Sequence, residues 1–354
     1  MLAFQCVERS TDDGSPNVRS PYAESLQGAW RRLRTVGYSE GVATTMLHSR
    51  RASSTRVYST HIRRWNAFCL DRRINTTITT VPLVLNFLQT LVDSGLSYAS
   101  INTAKSAVST VVILPDNIQL GTHVDVKVFM RGVYNLRPPI PRRTEIWDPD
   151  TVLELLNSRS GPTGGPTGLP TEFLVKFLCT LVLLTTGQRP QVLVALRLDD
   201  LHIDKHKAVF TLSSQDVKQG RPGYQAPIVS LRDYPSNPKL CVFKYLLEYL
   251  RRTKTSRGQI NQLLITLKKP YHPISLNTAA RWVKDTLRMA GIDTDRYAAG
   301  STRLAATSKA RLQGAPITLI MDSAGWTRRS TFARFYDRQV VKDKDIGDFI
   351  LPKS

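Results

Sequence analysis

The sequence predicts a mainly α-helical protein that carries one small β-sheet and is divided into two domains. Three observations lead there. Apolar residues recur at helical spacing through most of the chain. Runs with strand character are confined to the stretch from Leu201 to Val229. The segment Arg137-Pro-Pro-Ile-Pro-Arg-Arg143 places three prolines within four residues, which removes backbone donors, fixes φ and rules out a regular helix. The chain has 354 residues, so a break at that segment leaves two domains of ordinary size.

The elements follow in order. Residues 1–20 are polar, with Asp-Asp-Gly-Ser-Pro and Ser-Pro, and read as a flexible tail. Residues 24–36 form a helix with Leu26, Trp30 and Leu33 on one face and Arg31, Arg32 and Arg34 beside it. Residues 54–72 place Tyr58, Ile62, Trp65 and Cys69 on one stripe, with Arg56, Arg63 and Arg64 largely off it. Residues 81–94 form a third helix, with Pro82 in its first turn and Gly95 as its stop. Helices over 100–113 and 124–134 complete an all-α domain over 21–136. The proline segment, 137–147, is a linker whose Arg142 and Arg143 are candidate phosphate contacts.

Asp148-Pro149 restarts a helix, with Asp as its cap and Pro at its first position. A second domain is expected over 148–340. It opens with a Gly/Pro/Ser/Thr loop over 158–170 and an apolar helix over 171–185. Short strands at 201–203, 208–212 and 226–229 follow, joined by polar turns. Helices are expected over 239–252, 276–290, 302–313 and 317–321. Residues 341–354 form a C-terminal tail.

Composition narrows the function. Lys and Arg total 49 against 28 acidic residues, a formal net charge of +21. A solvated surface does not require that imbalance, whereas a phosphate backbone attracts it through Coulomb steering and counterion release. Ribosomal-type and membrane-surface proteins are the other basic classes, but the basic residues run along the whole chain with no dominant block. The apolar runs are too short to span a bilayer, and no secretory leader is evident, so no membrane association is expected. The four cysteines, Cys6, Cys69, Cys179 and Cys241, are scattered and form no zinc motif. Cys69 and Cys179 read as core thiols. No Walker loop, dinucleotide-binding glycine pattern or HExxH pair is present, and no acidic cluster suits two metals. No cofactor is expected.

Phosphoryl chemistry without a metal needs arginines, a lysine and an indole or imidazole N–H to neutralise charge. The second domain supplies such a set in order. Arg189 lies in Thr186-Gly-Gln-Arg-Pro after an apolar helix. Lys218 and Arg221 lie in Gln215-Asp-Val-Lys-Gln-Gly-Arg-Pro-Gly, between two expected strands. Arg303 opens a helix in Ser301-Thr-Arg. Trp326 follows in Ala324-Gly-Trp, and Tyr336 stands ten residues later in Phe335-Tyr-Asp.

This order resembles that of the tyrosine recombinases, the phage integrase-like enzymes. The stretch Gly300-STRLAATSKARLQGAPITLIMDSAGWTRRSTFARFYD337 is most similar to the eukaryotic branch found in DIRS-type and Crypton-like mobile elements. Ser53-Ser-Thr-Arg-Val-Tyr58 and Gly95-Leu-Ser-Tyr-Ala-Ser-Ile101 resemble that family's core-binding domain. The resemblance spans about residues 50–340. It implies a two-domain clamp on duplex DNA, with a helical core-binding domain and a catalytic domain. Tyr336 would be the nucleophile, Arg189 and Arg303 the phosphate clamp, Trp326 a phosphate neighbour and Lys218 the general acid. It further implies a homotetramer on two DNA sites, a C-terminal segment docking on a neighbour, and a nuclear location. One position departs from the pattern: the histidine usual three residues before the second arginine is Gly300 here. A DNA-binding protein of the same fold with weakened or lost cleavage therefore remains an alternative, as does a monomeric type IB topoisomerase-like enzyme.

Overall fold

The computed structural model describes residues 21–115, 118–139, 146–159, 165–213, 220, 228–327 and 330. The chain divides into two compact units, Met1–Pro141 and Arg142–Ser354. The expected N-terminal tail, the centre of the proline segment and the C-terminal tail lie outside the described residues, as do Arg142, Arg143, Lys218, Arg221 and Tyr336.

The first unit is all helical among its described residues. Its helices are α1 (Pro21–Thr35), α2 (Glu40–Leu47), α3 (Ala52–Asp71), α4 (Val81–Asp93), α5 (Tyr98–Val108) and α6 (Val124–Leu136). The core is built on the inward stripe of α3. Trp65 is fully buried. Its ring meets Phe87 of α4 edge-on at 5.3 Å, and its Nε1 donates to the Thr76 carbonyl at 2.9 Å. Both ends of this large side chain are thereby satisfied. Ile62, Cys69, Val84, Leu88, Ile101 and Ala104 fill the surrounding space.

Two expectations for this unit need correction. The short helix α2 was not anticipated. It spans only eight residues and buries only Ala43, so its apolar period is too short to stand out. The fourth expected helix stops at Val108, not at Ile113. Ile113 instead bridges to Ile78 in a parallel β-bridge.

The second unit contains α7 (Pro149–Arg159), α8 (Thr171–Thr186), α9 (Gln191–Ala195), β1 (Leu201–Ile203), β2 (Lys207–Thr211), β3 (Ile228–Arg232), α10 (Val242–Arg257), α11 (Leu276–Met289), α12 (Ser301–Leu312) and α13 (Ile317–Ala324). The three strands form an antiparallel sheet in the order β1-β2-β3. The fold is therefore mainly helical with one small sheet. The expected third strand, 226–229, runs further along the chain than its expected end. Pairing sets Phe210 opposite Val229 and Ala208 opposite Leu231, which carries the strand to Arg232.

α8 is the central helix of this unit and packs against α10, α11 and α12. It is apolar on nearly every side, as a helix enclosed by neighbours must be. Cys179 is buried within it, and burial pushes its thiol well above the usual range. Cys69 in the first unit is likewise pushed up, to about 11. Both thiols stay protonated at neutral pH and are poor nucleophiles. No helix among the described residues is long and apolar enough to cross a membrane.

Candidate active site

The site is assembled where three helix ends meet. α8 ends because Gly187 takes a left-handed conformation, φ 61° and ψ 19°. Glycine enters that region without a Cβ penalty. Its N–H returns to the Leu183 carbonyl at 3.0 Å. The chain thus leaves α8 sharply, and Arg189 follows two residues later in a half-buried turn before α9.

α13 ends in the same way. Gly325 has φ 69° and ψ 39°. The Trp326 N–H reaches back to the Met321 carbonyl at 2.9 Å and the Gly325 N–H to Asp322 at 3.1 Å. This is the paired bonding of a Schellman stop, which extends α13 to Ala324, three residues beyond the expected end. It turns Trp326 back against the unit, where it is buried.

The two ends are tied together. The Ser323 hydroxyl donates to the Thr186 carbonyl at 2.8 Å, and the Gln188 side-chain amide donates to the Ser323 carbonyl. A Cβ on Gly187 would stand 3.2 Å from Thr307 Cγ2 and 3.9 Å from Ala324 Cβ. The turn that carries Arg189 therefore sits against both α12 and the end of α13.

Arg303 lies in the first turn of α12. It is 2% exposed. Its Nη2 donates to the Ala324 carbonyl at 2.8 Å, and its guanidinium carbon lies 4.2 Å from the centroid of the Trp326 ring. Two features make this burial of charge tolerable. The carbonyl it meets is at the negative end of α13, and the indole face attracts a cation. Thr307, one turn on, donates to the Arg303 carbonyl at 2.8 Å.

Gly300 precedes α12 with φ −69° and ψ −14° and makes no side-chain cap. It is exposed, and a Cβ added there meets no atom within 4 Å. Neither backbone shape nor space requires glycine at this position.

The structure thus brings Arg303 and Trp326 into contact and sets Arg189 on the adjoining turn. Lys218 and Tyr336 lie outside the described residues. In the first unit, Arg56, Arg63 and Arg64 are all exposed on α3. Among the described residues no group of three or more His, Cys, Asp or Glu side chains could hold a metal.

Sequence reasoning missed two features. α11 buries Ala279, Trp282, Val283 and Leu287 and turns Asn277, Arg281, Lys284 and Arg288 the other way. Their helical spacing was the available clue. The second is Trp147, whose Nε1 donates to Ser301 Oγ at 2.8 Å across 154 residues of sequence. Nothing local marks it.

No protein-family model matches the chain, and no curated protein matches it significantly. Solved structures do. A XerH site-specific recombinase bound to difH substrate in a pre-cleavage complex is 13% identical with a TM-score of 0.57, covering 91% of this chain and 95% of that one. The XerH post-cleavage complex on palindromic difH gives 12% identity and a TM-score of 0.56, with the same coverage. The Tn1549 transposon integrase in complex with transposon right end DNA is 15% identical with a TM-score of 0.53, covering 89% of this chain and 95% of that one. At these identities the likeness is one of architecture, and it extends over most of the chain: the protein has the tyrosine recombinase, or phage integrase-like, fold.

Proposed function

We propose that this protein is a site-specific DNA recombinase that cuts and rejoins strands through a 3′-phosphotyrosine intermediate, serving to integrate or excise a mobile element. The observation that carries the reading is the buried Arg303 guanidinium held on the face of Trp326, with the Arg189 turn packed beside it, in a chain of this fold and of net charge +21. A buried arginine on a rigid element costs little reorganisation when charge develops at phosphorus.

In the proposed reaction the Tyr336 hydroxyl gives its proton to solvent water and its oxygen attacks the scissile phosphorus. The bond to the 5′ oxygen breaks, and Lys218 gives that oxygen a proton. Arg189 and Arg303 hold the non-bridging oxygens. Trp326 holds the Arg303 guanidinium against its indole face. The first-turn amides of α12 add the positive end of a helix to the same region. The phosphotyrosine ester retains the energy of the broken bond, so a 5′-hydroxyl of a second strand reverses the step without nucleotide or metal. Arg56, Arg63 and Arg64 on α3, Arg142, Arg143 and Arg221 in the segments beyond, and the polar face of α11 are the proposed contacts to duplex DNA.

Two finer points belong to this reading. The motifs from Gly300 to Asp337 favour the DIRS-type and Crypton-like branch, and with it a nuclear site of action. A homotetramer is the proposed working form. A groove of about 1030 Å³ beside Trp326, lined by Leu181, Leu240, Val242, Leu319 and Met321, supports it as a seat for the C-terminal residues 341–354 of a second copy.

Gly300 favours a second reading, a DNA-binding protein of this fold that has lost efficient cutting. Strand exchange separates these readings. Two nicked duplexes sharing a site should yield recombinant strands in the presence of the parent protein. Relaxation of supercoiled DNA without exchange would indicate a topoisomerase, and binding without either product would indicate the non-cutting protein.

A further inference from the structure

α12 begins without a side-chain cap. Gly300 offers none, although the first N–H groups of a helix ordinarily take an acceptor from a Ser, Thr, Asp or Asn just before it. The first turn of this helix nevertheless carries Arg303, whose orientation matters most in the site. The Ser301 and Thr302 N–H groups turn back to the Ala298 and Ala299 carbonyls at 2.8 and 3.4 Å, and a side chain from outside the helix holds the turn as well.

The holder comes from far away in sequence. Trp147 is buried with Ile146 in the core of its unit. Its indole N–H donates to Ser301 Oγ at 2.8 Å, fixing the residue at which α12 starts. The following residues repeat the attachment lower down. Lys309 Nζ reaches Asp148 Oδ1 at 3.4 Å and also pairs with Asp150. Asp148 itself accepts the Asp150 N–H at 3.0 Å at the start of α7. Ser301 and Lys309 are about 12 Å apart along a helix. Residues 147–150 therefore grip α12 at two points, by a hydrogen bond at its start and by ion pairs near its end.

The two bonds differ in what they can do. The Lys309 contacts are partly exposed ion pairs, which contribute little stability. The Trp147 bond is partly buried, its indole is almost wholly enclosed, and it lies two residues before Arg303. A buried donor must keep its acceptor or suffer desolvation, and a large indole has little freedom to follow a helix that shifts. We infer that Trp147 is a positioning residue for the proposed strand-cutting reaction: through Ser301 it sets the first turn of α12, and so keeps the Arg303 guanidinium on Trp326 and aimed at the phosphate. The inference rests on the recombinase reading.

The test compares the full-length parent with Trp147→Phe, Ser301→Ala, the double variant and Ser301→Thr. Covalent adduct formation is measured in a single turnover on a nicked duplex at saturating DNA, alongside half-saturation for binding. Trp147→Phe keeps the ring and removes the donor, and Ser301→Thr keeps the acceptor. The expected result is about tenfold slower adduct formation in each single loss variant, below the ~10²–10³ of removing a direct charge-stabilising donor. Binding should be unchanged, the double variant no slower than either single one, and Ser301→Thr close to the parent. Amide exchange over residues 301–305 should quicken in Trp147→Phe while the rest of the unit keeps its protection, which distinguishes loosening of one turn from loss of fold. Parent-like rates in Trp147→Phe and Ser301→Ala, additive losses in the double variant, or a Ser301→Thr as slow as Ser301→Ala would each overturn the inference while leaving the recombinase reading intact. A parent that forms no adduct overturns both.

Discussion

Arg303 and Gly300 are three residues apart and sit at opposite extremes of burial. Arg303 is enclosed, with a helix-end carbonyl and an indole face as its surroundings. A charge so placed is costly to bury, and the Ala324 carbonyl and the indole face offset part of that cost. Replacing Arg303 with Ala is expected to slow cleavage by ~10²–10³ and to weaken DNA affinity much less, as read by single-turnover cleavage against equilibrium binding. Equal losses in both would make it a docking residue. Gly300 is the reverse case. Its backbone is available to any residue and its surroundings are open. Gly300→His should therefore fold normally. An imidazole there can assist proton transfer, an effect worth roughly 10²–10⁴-fold when fully realised. Without neighbours arranged to orient it, about a tenfold gain in cleavage rate is expected. A slower variant at matched DNA occupancy would mean that this site operates without the histidine by design.

Among the elements, the stops matter as much as the helices. Gly187 and Gly325 end α8 and α13 in the same left-handed conformation, and the two ends are bonded to each other through Ser323 and Thr186. Gly187→Ala should cost roughly 1–2 kcal/mol for the left-handed backbone, with added crowding from the 3.2 Å approach to Thr307 Cγ2. A lower Tm together with slower cleavage is the expected outcome, since the Arg189 turn rides on this stop. An unchanged cleavage rate in a folded variant would disconnect that turn from the chemistry. The sequence made part of this legible. The 3.6-residue period of α3 and the proline near the start of α4 marked those helices, and the start of α13 was legible while its end at Ala324 was not. Other features depend on partners remote in sequence. β3 is placed by its pairing with β2. α2 buries too little to show a pattern. The Trp147–Ser301 bond joins residues that no local rule connects.

At the scale of the whole molecule, the arrangement and the charge agree. A chain with +21 net charge keeps arginines exposed on α3 of one unit and encloses Arg303 in the other. Exposed cations provide affinity that is sensitive to salt, and enclosed ones provide charge stabilisation. The architecture extends over most of the chain and follows that of solved recombinase and transposon integrase structures, while the proposed chemistry falls to a few residues between Arg189 and Tyr336. The most direct measurement of the central claim is covalent trapping. The parent protein is incubated with a nicked duplex whose short 5′-hydroxyl fragment diffuses away after cleavage, and the denatured product is digested and mapped by mass spectrometry. The account predicts a denaturation-resistant protein–DNA adduct, a 3′-phosphate linked to Tyr336, and no adduct from Tyr336→Phe at equal DNA binding. An adduct that survives in Tyr336→Phe, or saturated binding by the parent with no adduct at all, would contradict it.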